Sequence, residues 1–210
     1  MFTLSCEFKD NIPVFHCDTC GNCKNFIEST SYIGINRGCC WYFPKYTLMD
    51  IKNIINIGKI DFIYSLIKNA NSKISQYFIE VQGFYNSIKH KVYCKNNNPQ
   101  LDFDSKLFFR VCPFVGKKGC TIDFQLRPHP CNLYLCREII KKSGESYKKY
   151  SRERKDYYSY CNYFNNSLKY EFMDKDIHFF KDFSKSLKII KAFNIPAYEP
   201  IKLPKIKGTL

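Results

Sequence analysis

The chain has no long run of apolar residues, which argues against a helix that spans a membrane. No stretch approaches the roughly 18 uncharged apolar residues that a bilayer-spanning helix needs. The segment from Met1 to Phe15 carries Glu7, Lys9 and Pro13 and has no apolar signal-peptide core. We therefore expect a cytoplasmic protein with no membrane partner, in a reducing compartment where disulfides rarely persist.

Arginine is scarce, although the chain is strongly basic. The net charge is +14, but 27 lysines stand against only 6 arginines, and arginine is the side chain best suited to bidentate contacts with phosphate and guanine. Alanine occurs three times, while Phe, Tyr, Met, Ile, Asn and Lys supply 105 of the 210 residues. This bias runs through the whole chain, so it favours a solvated lysine surface and argues against a nucleic-acid partner.

Sequence motifs of the common enzyme classes are also missing. There is no G-x-G-x-x-G loop, no radical S-adenosylmethionine spacing C-x3-C-x2-C, and no Cys–His or carboxylate pair anchored by a motif. The sequence therefore leaves open whether the chain is an enzyme, and it identifies no catalytic residue.

Cysteine, in contrast, is abundant and clustered. Nine of the twelve cysteines form two groups, which are Cys17, Cys20, Cys23, Cys39 and Cys40, and then Cys112, Cys120, Cys131 and Cys136. Thiolates are strong ligands of zinc and of iron–sulfur iron, and two-residue spacers let successive sulfurs face one centre. The pattern makes all nine candidate metal ligands and predicts that the site joins the two halves of the chain.

The spacing leaves the identity of the metal open. Cys17, Cys20 and Cys23 have the C-x2-C-x2-C spacing that wraps a [4Fe–4S] cluster in bacterial ferredoxins, and Cys112, followed by Pro113, could supply a remote fourth ligand. Zinc takes four ligands, so nine cysteines would fill two ions and leave one over. We favour the cluster and keep zinc as the alternative. Because neighbouring side chains diverge, which of Cys39 and Cys40 binds is also open.

Several further residues are weaker candidates. His16 and His129 lie beside ligand cysteines and could each supply a nitrogen. Arg127 could either donate a hydrogen bond to a ligand sulfur or bond to backbone. The isolated cysteines Cys6, Cys94 and Cys161 are not expected to bind metal; Cys161 falls on an apolar helical stripe and is predicted to be core.

The patterns predict a single small α(+β) domain, mainly α, with irregular metal-organised loops and a short strand or two. Residues 1–142 would form the cysteine-cluster core, 143–194 a C-terminal helical pair packed on it, and 195–210 an extended tail. Thr47 and Asp50 resemble a capping box that starts a helix, and the segment from Lys73 to Tyr93 fits helix or strand. The predicted apolar stripes of the helical pair are Tyr157, Cys161, Phe164, Leu168 and Phe172, then Phe179, Phe180, Phe183, Leu187 and Ile190.

The order of the motifs resembles a known family. Cys17-x2-Cys20-Gly21-x-Cys23, then Cys112-Pro113-Phe114, Cys120, Arg127-Pro128-x2-Cys131 and Cys136, is similar to the YkgJ-type zinc- or iron-chelating cysteine-cluster family over roughly residues 17–136. The chain departs from the family where a doubled cysteine is usual, because Lys24 follows Cys23 and a doublet comes only at Cys39-Cys40.

The resemblance implies metal or iron–sulfur binding, with a redox or metal-handling role such as that of an iron–sulfur oxidoreductase. Two alternatives stay open. One is a structural zinc module that organises an interaction surface. The other, a minor one, is a methylase related to the flagellin lysine methylase family, which joins a similar cysteine cluster to methyl transfer.

Overall fold

The computed structural model describes residues 1–19, 43–96, 105–116 and 119–209. The helices in these ranges are α1 (Leu48–Asn56), α2 (Ile60–Lys68), α3 (Ser87–Asn96), α4 (His129–Leu133), α5 (Arg137–Ser143), α6 (Tyr147–Asp174) and α7 (Phe183–Ala192). The strands are β1 (Phe2–Lys9), β2 (Ile12–Cys17), β3 (Lys45–Thr47), β4 (Ser72–Ile74), β5 (Phe78–Val81), β6 (Phe84–Tyr85), β7 (Arg110–Val111), β8 (Val115–Gly116), β9 (Gly119–Cys120) and β10 (Ile206–Gly208). Short 3-10 turns cover Ser105–Phe109, Phe124–Leu126 and Gly144–Ser146.

An N-terminal hairpin places Cys17, the first residue of the first cysteine group. β1 and β2 pair antiparallel through a two-residue turn at Asp10 and Asn11, whose φ angles are 50° and 63°. Asp and Asn tolerate this left-handed conformation, which a tight hairpin turn requires. β10 pairs with the other edge of β1, so the sheet order is β10-β1-β2. The sheet therefore ties the C-terminal tail to the strand pair that ends at Cys17.

The described residues form three further sheets. The strands β3, β5 and β4 form an antiparallel sheet in that order, β6 pairs with β7, and β8 pairs with β9. The capping box predicted at the start of α1 is confirmed, because Asp50 N donates to Thr47 Oγ1 at 3.3 Å and Thr47 N donates to Asp50 Oδ2 at 2.9 Å. The cap fixes where β3 ends and α1 begins.

The apolar core has two parts, and α6 contributes to both. One part gathers Leu48, Ile51, Leu168, Phe172 and Ile190, from α1, α6 and α7. The other gathers Phe2, Leu4, Leu133, Tyr150 and Tyr157, from the N-terminal hairpin, α4 and α6. The 28-residue helix α6 thus spans the molecule with one buried face, as its apolar period predicts.

The small α+β fold expected from the sequence is confirmed, with more strands than the short strand or two expected. Residues 105–109 form a 3-10 turn, and the short strand β7 then leads to Cys112. Cys131 lies inside α4. One member of the predicted apolar stripes needs correction: Phe180 is 63% exposed, because it precedes α7 and does not join its buried stripe. In the described ranges no helix is both long and apolar enough to cross a bilayer.

Candidate metal centre

Three cysteines of the second group influence the hydroxyl group of Tyr46 electrostatically. Tyr46 is fully buried in the middle of β3, and its Oη has no hydrogen-bond partner among the described residues. Its pKa lies well above the usual value, first because of burial and then because of the nearby charges of Cys131, Asp50, Cys120 and Cys112. Cys112, Cys120 and Cys131 are therefore near enough to Tyr46 to influence its pKa, although Cys120 itself is exposed.

A short hairpin connects Cys112 to Cys120. Cys112 directly follows β7, and its carbonyl accepts from Val115 N at 3.1 Å. Cys120 then pairs across β8 and β9 with Val115, and Thr121 N donates to Phe114 O at 2.8 Å. The pairing of Gly116 with Gly119 thus returns the chain to Cys120, and residues 117–118 lie outside the described ranges.

Two prolines and an arginine position Cys131. Pro128 caps α4 with an extended backbone, and Cys131 N donates to its carbonyl at 2.9 Å. Arg127 Nε donates to Ile122 O at 2.8 Å, so the structure gives Arg127 a backbone bond and favours the structural alternative for this residue. A contact from Arg127 to a ligand sulfur stays a prediction.

The first cysteine group reaches the same region through Cys17. β2, which ends at Cys17, packs against α4, and Cys17 shares an apolar cluster with Leu133 and Leu135, against which Cys136 also packs. Cys17 is buried, with Sγ 3.0 Å from Thr19 Oγ1. His16 is exposed on the opposite face of β2, because successive strand residues point to opposite sides. The strand geometry directs His16 away from the side that Cys17 faces.

The remaining four predicted ligands, Cys20, Cys23, Cys39 and Cys40, lie outside the described residues. Within the described ranges, no group of three or more His, Cys, Asp or Glu side chains is arranged to hold a metal ion. The described thiols therefore do not by themselves form a metal site. Their soft sulfur chemistry fits zinc or iron–sulfur iron rather than magnesium or calcium.

A buried carboxylate–imidazole pair adjoins this region. Asp50 Oδ1 accepts from His129 N at 2.7 Å and lies 2.9 Å from His129 Nδ1, and both residues are almost fully buried. Burial alone would raise the pKa of Asp50, but the charge of His129 and the hydrogen bonds from His129 and Thr47 outweigh it, so the pKa is lowered. Asp50 thus joins the start of α1 to the start of α4.

Among the described residues, the outer nitrogen of His129 has no partner. His129 Nε2 is buried without a hydrogen bond to any of them, while Nδ1 faces the Asp50 carboxylate. In a neutral imidazole, a proton on the nitrogen that faces a carboxylate leaves a lone pair on the other nitrogen, as in many metal-bound histidines. The sequence pointed to His129 as a candidate nitrogen donor, whereas Asp50 was visible only as a helix cap.

Two of the isolated cysteines have raised pKa values. Cys161 is fully buried in α6, where burial and the nearby Asp50 charge raise its pKa. Burial, with Glu153 and Glu7 nearby, raises the pKa of Cys6 to about 12. The burial of Cys161 agrees with its predicted core role.

Comparison with known proteins identifies no relative of this chain. No family model, no curated protein and no solved structure matches this chain. The resemblance of the cysteine motifs to the YkgJ-type family therefore stays a hypothesis.

Proposed function

We propose that this protein binds an iron–sulfur cluster, most simply [4Fe–4S], or zinc or iron ions, and serves a redox or metal-handling role in the cytoplasm. The ligands would come from the nine clustered cysteines, with Cys39 and Cys40 as alternatives to each other. One observation carries the proposal. The charges of Cys112, Cys120 and Cys131 all act on the buried hydroxyl group of Tyr46, and the strand that ends at Cys17 packs on the helix that holds Cys131.

The surrounding residues suit a negatively charged centre. A cluster held by several thiolates carries net negative charge, and the formal charge of +14 on the chain would offset it over the whole surface. Cys17 and Cys112 are buried, so sulfur at those positions is shielded from water. Bound iron–sulfur iron would supply one-electron chemistry, at a potential set by burial and by hydrogen bonds to sulfur.

Zinc is the second candidate, and the same burial favours it. Structural zinc sites are closed, fully ligated by protein and contribute directly to folding. A closed site around Cys112 and Cys17 would organise the packing of β2, α4 and the hairpin β8–β9 without chemistry of its own.

Anaerobic purification followed by measurement of iron, acid-labile sulfide and zinc distinguishes these forms. We expect a brown protein with equal amounts of iron and sulfide, whose visible absorption bleaches on reduction by dithionite. A colourless protein with stoichiometric zinc would support the zinc alternative. A folded, colourless protein that retains neither metal when prepared anaerobically would contradict the proposal.

The variant Tyr46→Phe tests whether the orphaned hydroxyl group belongs to the metal-bound state. A buried hydroxyl group without a partner costs about 1–3 kcal/mol, so its removal should raise the free energy of unfolding of the metal-free protein. If a metal-bound sulfur accepts from Tyr46 Oη, the same change should lower the stability of the loaded protein. Urea unfolding of both forms measures the two effects, and equal shifts in both would separate Tyr46 from the site.

A further inference from the structure

A second group of reactive side chains lies on α3, outside the candidate metal centre. His90 and Cys94 are four residues apart and so face the same side of the helix. Cys94 Sγ lies 3.3 Å from His90 Nε2, within hydrogen-bond reach. A thiol beside an imidazole is the arrangement from which enzymes build an activated sulfur nucleophile.

The imidazole is held in place on both sides. His90 Nδ1 lies 2.6 Å from Tyr85 Oη, and the ring packs against Phe109 with centroids 5.0 Å apart. The guanidinium group of Arg110 in turn lies over the Tyr85 ring, with its central carbon 5.4 Å from the ring centroid. When Nδ1 donates its proton to Tyr85 Oη, the lone pair of Nε2 faces Cys94. A third group that orients the base completes the usual nucleophile–base–orienter series.

The site is accessible and positively charged. Cys94 is partly exposed, and α3 has no buried residue. Its lysines, Lys89, Lys91 and Lys95, are exposed, and the helix contains no acidic residue. A small molecule with negative charge would be attracted to this surface, because like-signed charges line it.

We propose that Cys94 is a nucleophilic thiol, that His90 is its general base, and that the site takes small anionic carbon electrophiles. The Cys94 proton passes to His90 Nε2 as the sulfur lone pair forms a bond to carbon. The bond from that carbon to the leaving group breaks, and the leaving group departs with the bonding electrons. His90 then returns its proton to solvent. Ser105 Oγ, 2.9 Å from Nε2, competes for the same lone pair.

Alkylation of the full chain tests the proposal with iodoacetate as an anionic probe and iodoacetamide as a neutral one. Peptide mass spectrometry at neutral pH gives the rate at Cys94, and a free peptide of the α3 sequence gives the rate without the fold. We expect Cys94 to react at least about 10-fold faster than the peptide, since a positioned base contributes about 10²–10⁴-fold. His90→Gln should fall to the peptide rate. An unchanged rate in His90→Gln, or a wild-type rate equal to that of the peptide, would overturn the nucleophile assignment.

Two further variants sharpen the result. Lys91→Gln should slow iodoacetate and leave iodoacetamide unchanged; an equal effect on both reagents would overturn the anionic substrate class. Ser105→Ala removes the competitor for Nε2 and should hold or raise the rate, whereas a fall to the peptide rate would contradict the role given to His90. Circular dichroism checks the fold of each variant. None of these outcomes depends on the metal proposal, because the readout is the rate at one thiol outside its ligand set.

Discussion

Cys131→Ser is expected to lose bound metal and most of its thermal stability. If four ligands share the about 10–16 kcal/mol that a structural thiolate site supplies, one ligand contributes roughly 3 kcal/mol, which corresponds to about 100-fold in affinity. Serine is nearly isosteric with cysteine, so lost coordination rather than lost volume explains the change. Metal content after gel filtration and the melting temperature of the purified protein measure both effects.

Cys161→Ala is the matched control, because Cys161 is a fully buried cysteine outside the predicted ligand set. We expect it to keep its metal and to lose only the stability that a small core cavity costs, about 1–2 kcal/mol. Equal metal loss in Cys131→Ser and Cys161→Ala would show that the effect comes from misfolding. Full metal content in Cys131→Ser would remove Cys131 from the ligand set.

Asp50→Ala is expected to be the most destabilising change outside the cysteines. The Asp50 carboxylate accepts from Thr47 at the start of α1 and from the backbone and ring of His129 at the start of α4. Removing it breaks the side-chain half of the capping box, in which Asp50 accepts from Thr47 N, and leaves a buried imidazole without its partner. Loss of one member of a buried pair costs about 3–5 kcal/mol, which urea unfolding at neutral pH would measure.

Asp182→Ala separates the cap from the buried pair. Asp182 also caps a helix, since its side chain accepts from Lys185 N at 2.8 Å, but it is exposed and contacts no buried histidine. Its loss should cost about 0.5–2 kcal/mol, the usual value for a cap. If Asp50→Ala cost no more than Asp182→Ala, the bond to His129 would contribute nothing to stability.

The contribution of Asp50 should also depend on pH. Its pKa is lowered from 3.8 in the folded protein, so its stabilisation is present above the unfolded value and is lost as pH falls through the lower folded value. The difference in free energy of unfolding between wild type and Asp50→Ala should therefore shrink below about pH 4. A difference that stays constant from neutral pH into this range would contradict a charged Asp50 in the fold.

The sequence predicted the elements of the fold that have a clear hydrophobic periodicity or a helix-capping motif. The capping box at Thr47 and the buried stripe of α6 could both be predicted from the sequence, because each depends on residues a few positions apart. The strand β10 could not be predicted from the sequence, because Ile206–Gly208 becomes a strand only by pairing with β1, some 200 residues earlier. Non-local pairing of this kind leaves little trace in a short segment.

The candidate sites show the same division between local patterns, which the sequence reveals, and long-range contacts, which it does not. The cysteine spacings drew attention to the second group, but the role of Tyr46 depends on its burial, and that of Asp50 on its contact with α4. His90 and Cys94 are four residues apart in the sequence. The sequence alone left open whether the segment from Lys73 to Tyr93 is helix or strand. Only in a helix do the two side chains share a face, so the thiol–imidazole pair became visible with α3.

X-ray absorption at the metal edge of anaerobically prepared protein tests most directly whether both cysteine groups bind one inorganic centre. We predict a first shell dominated by sulfur, at about 2.3 Å if the metal is zinc, with sulfur lost in Cys131→Ser and also in Cys17→Ser. A first shell of oxygen and nitrogen alone, or a sulfur shell unchanged by both substitutions, would contradict the account.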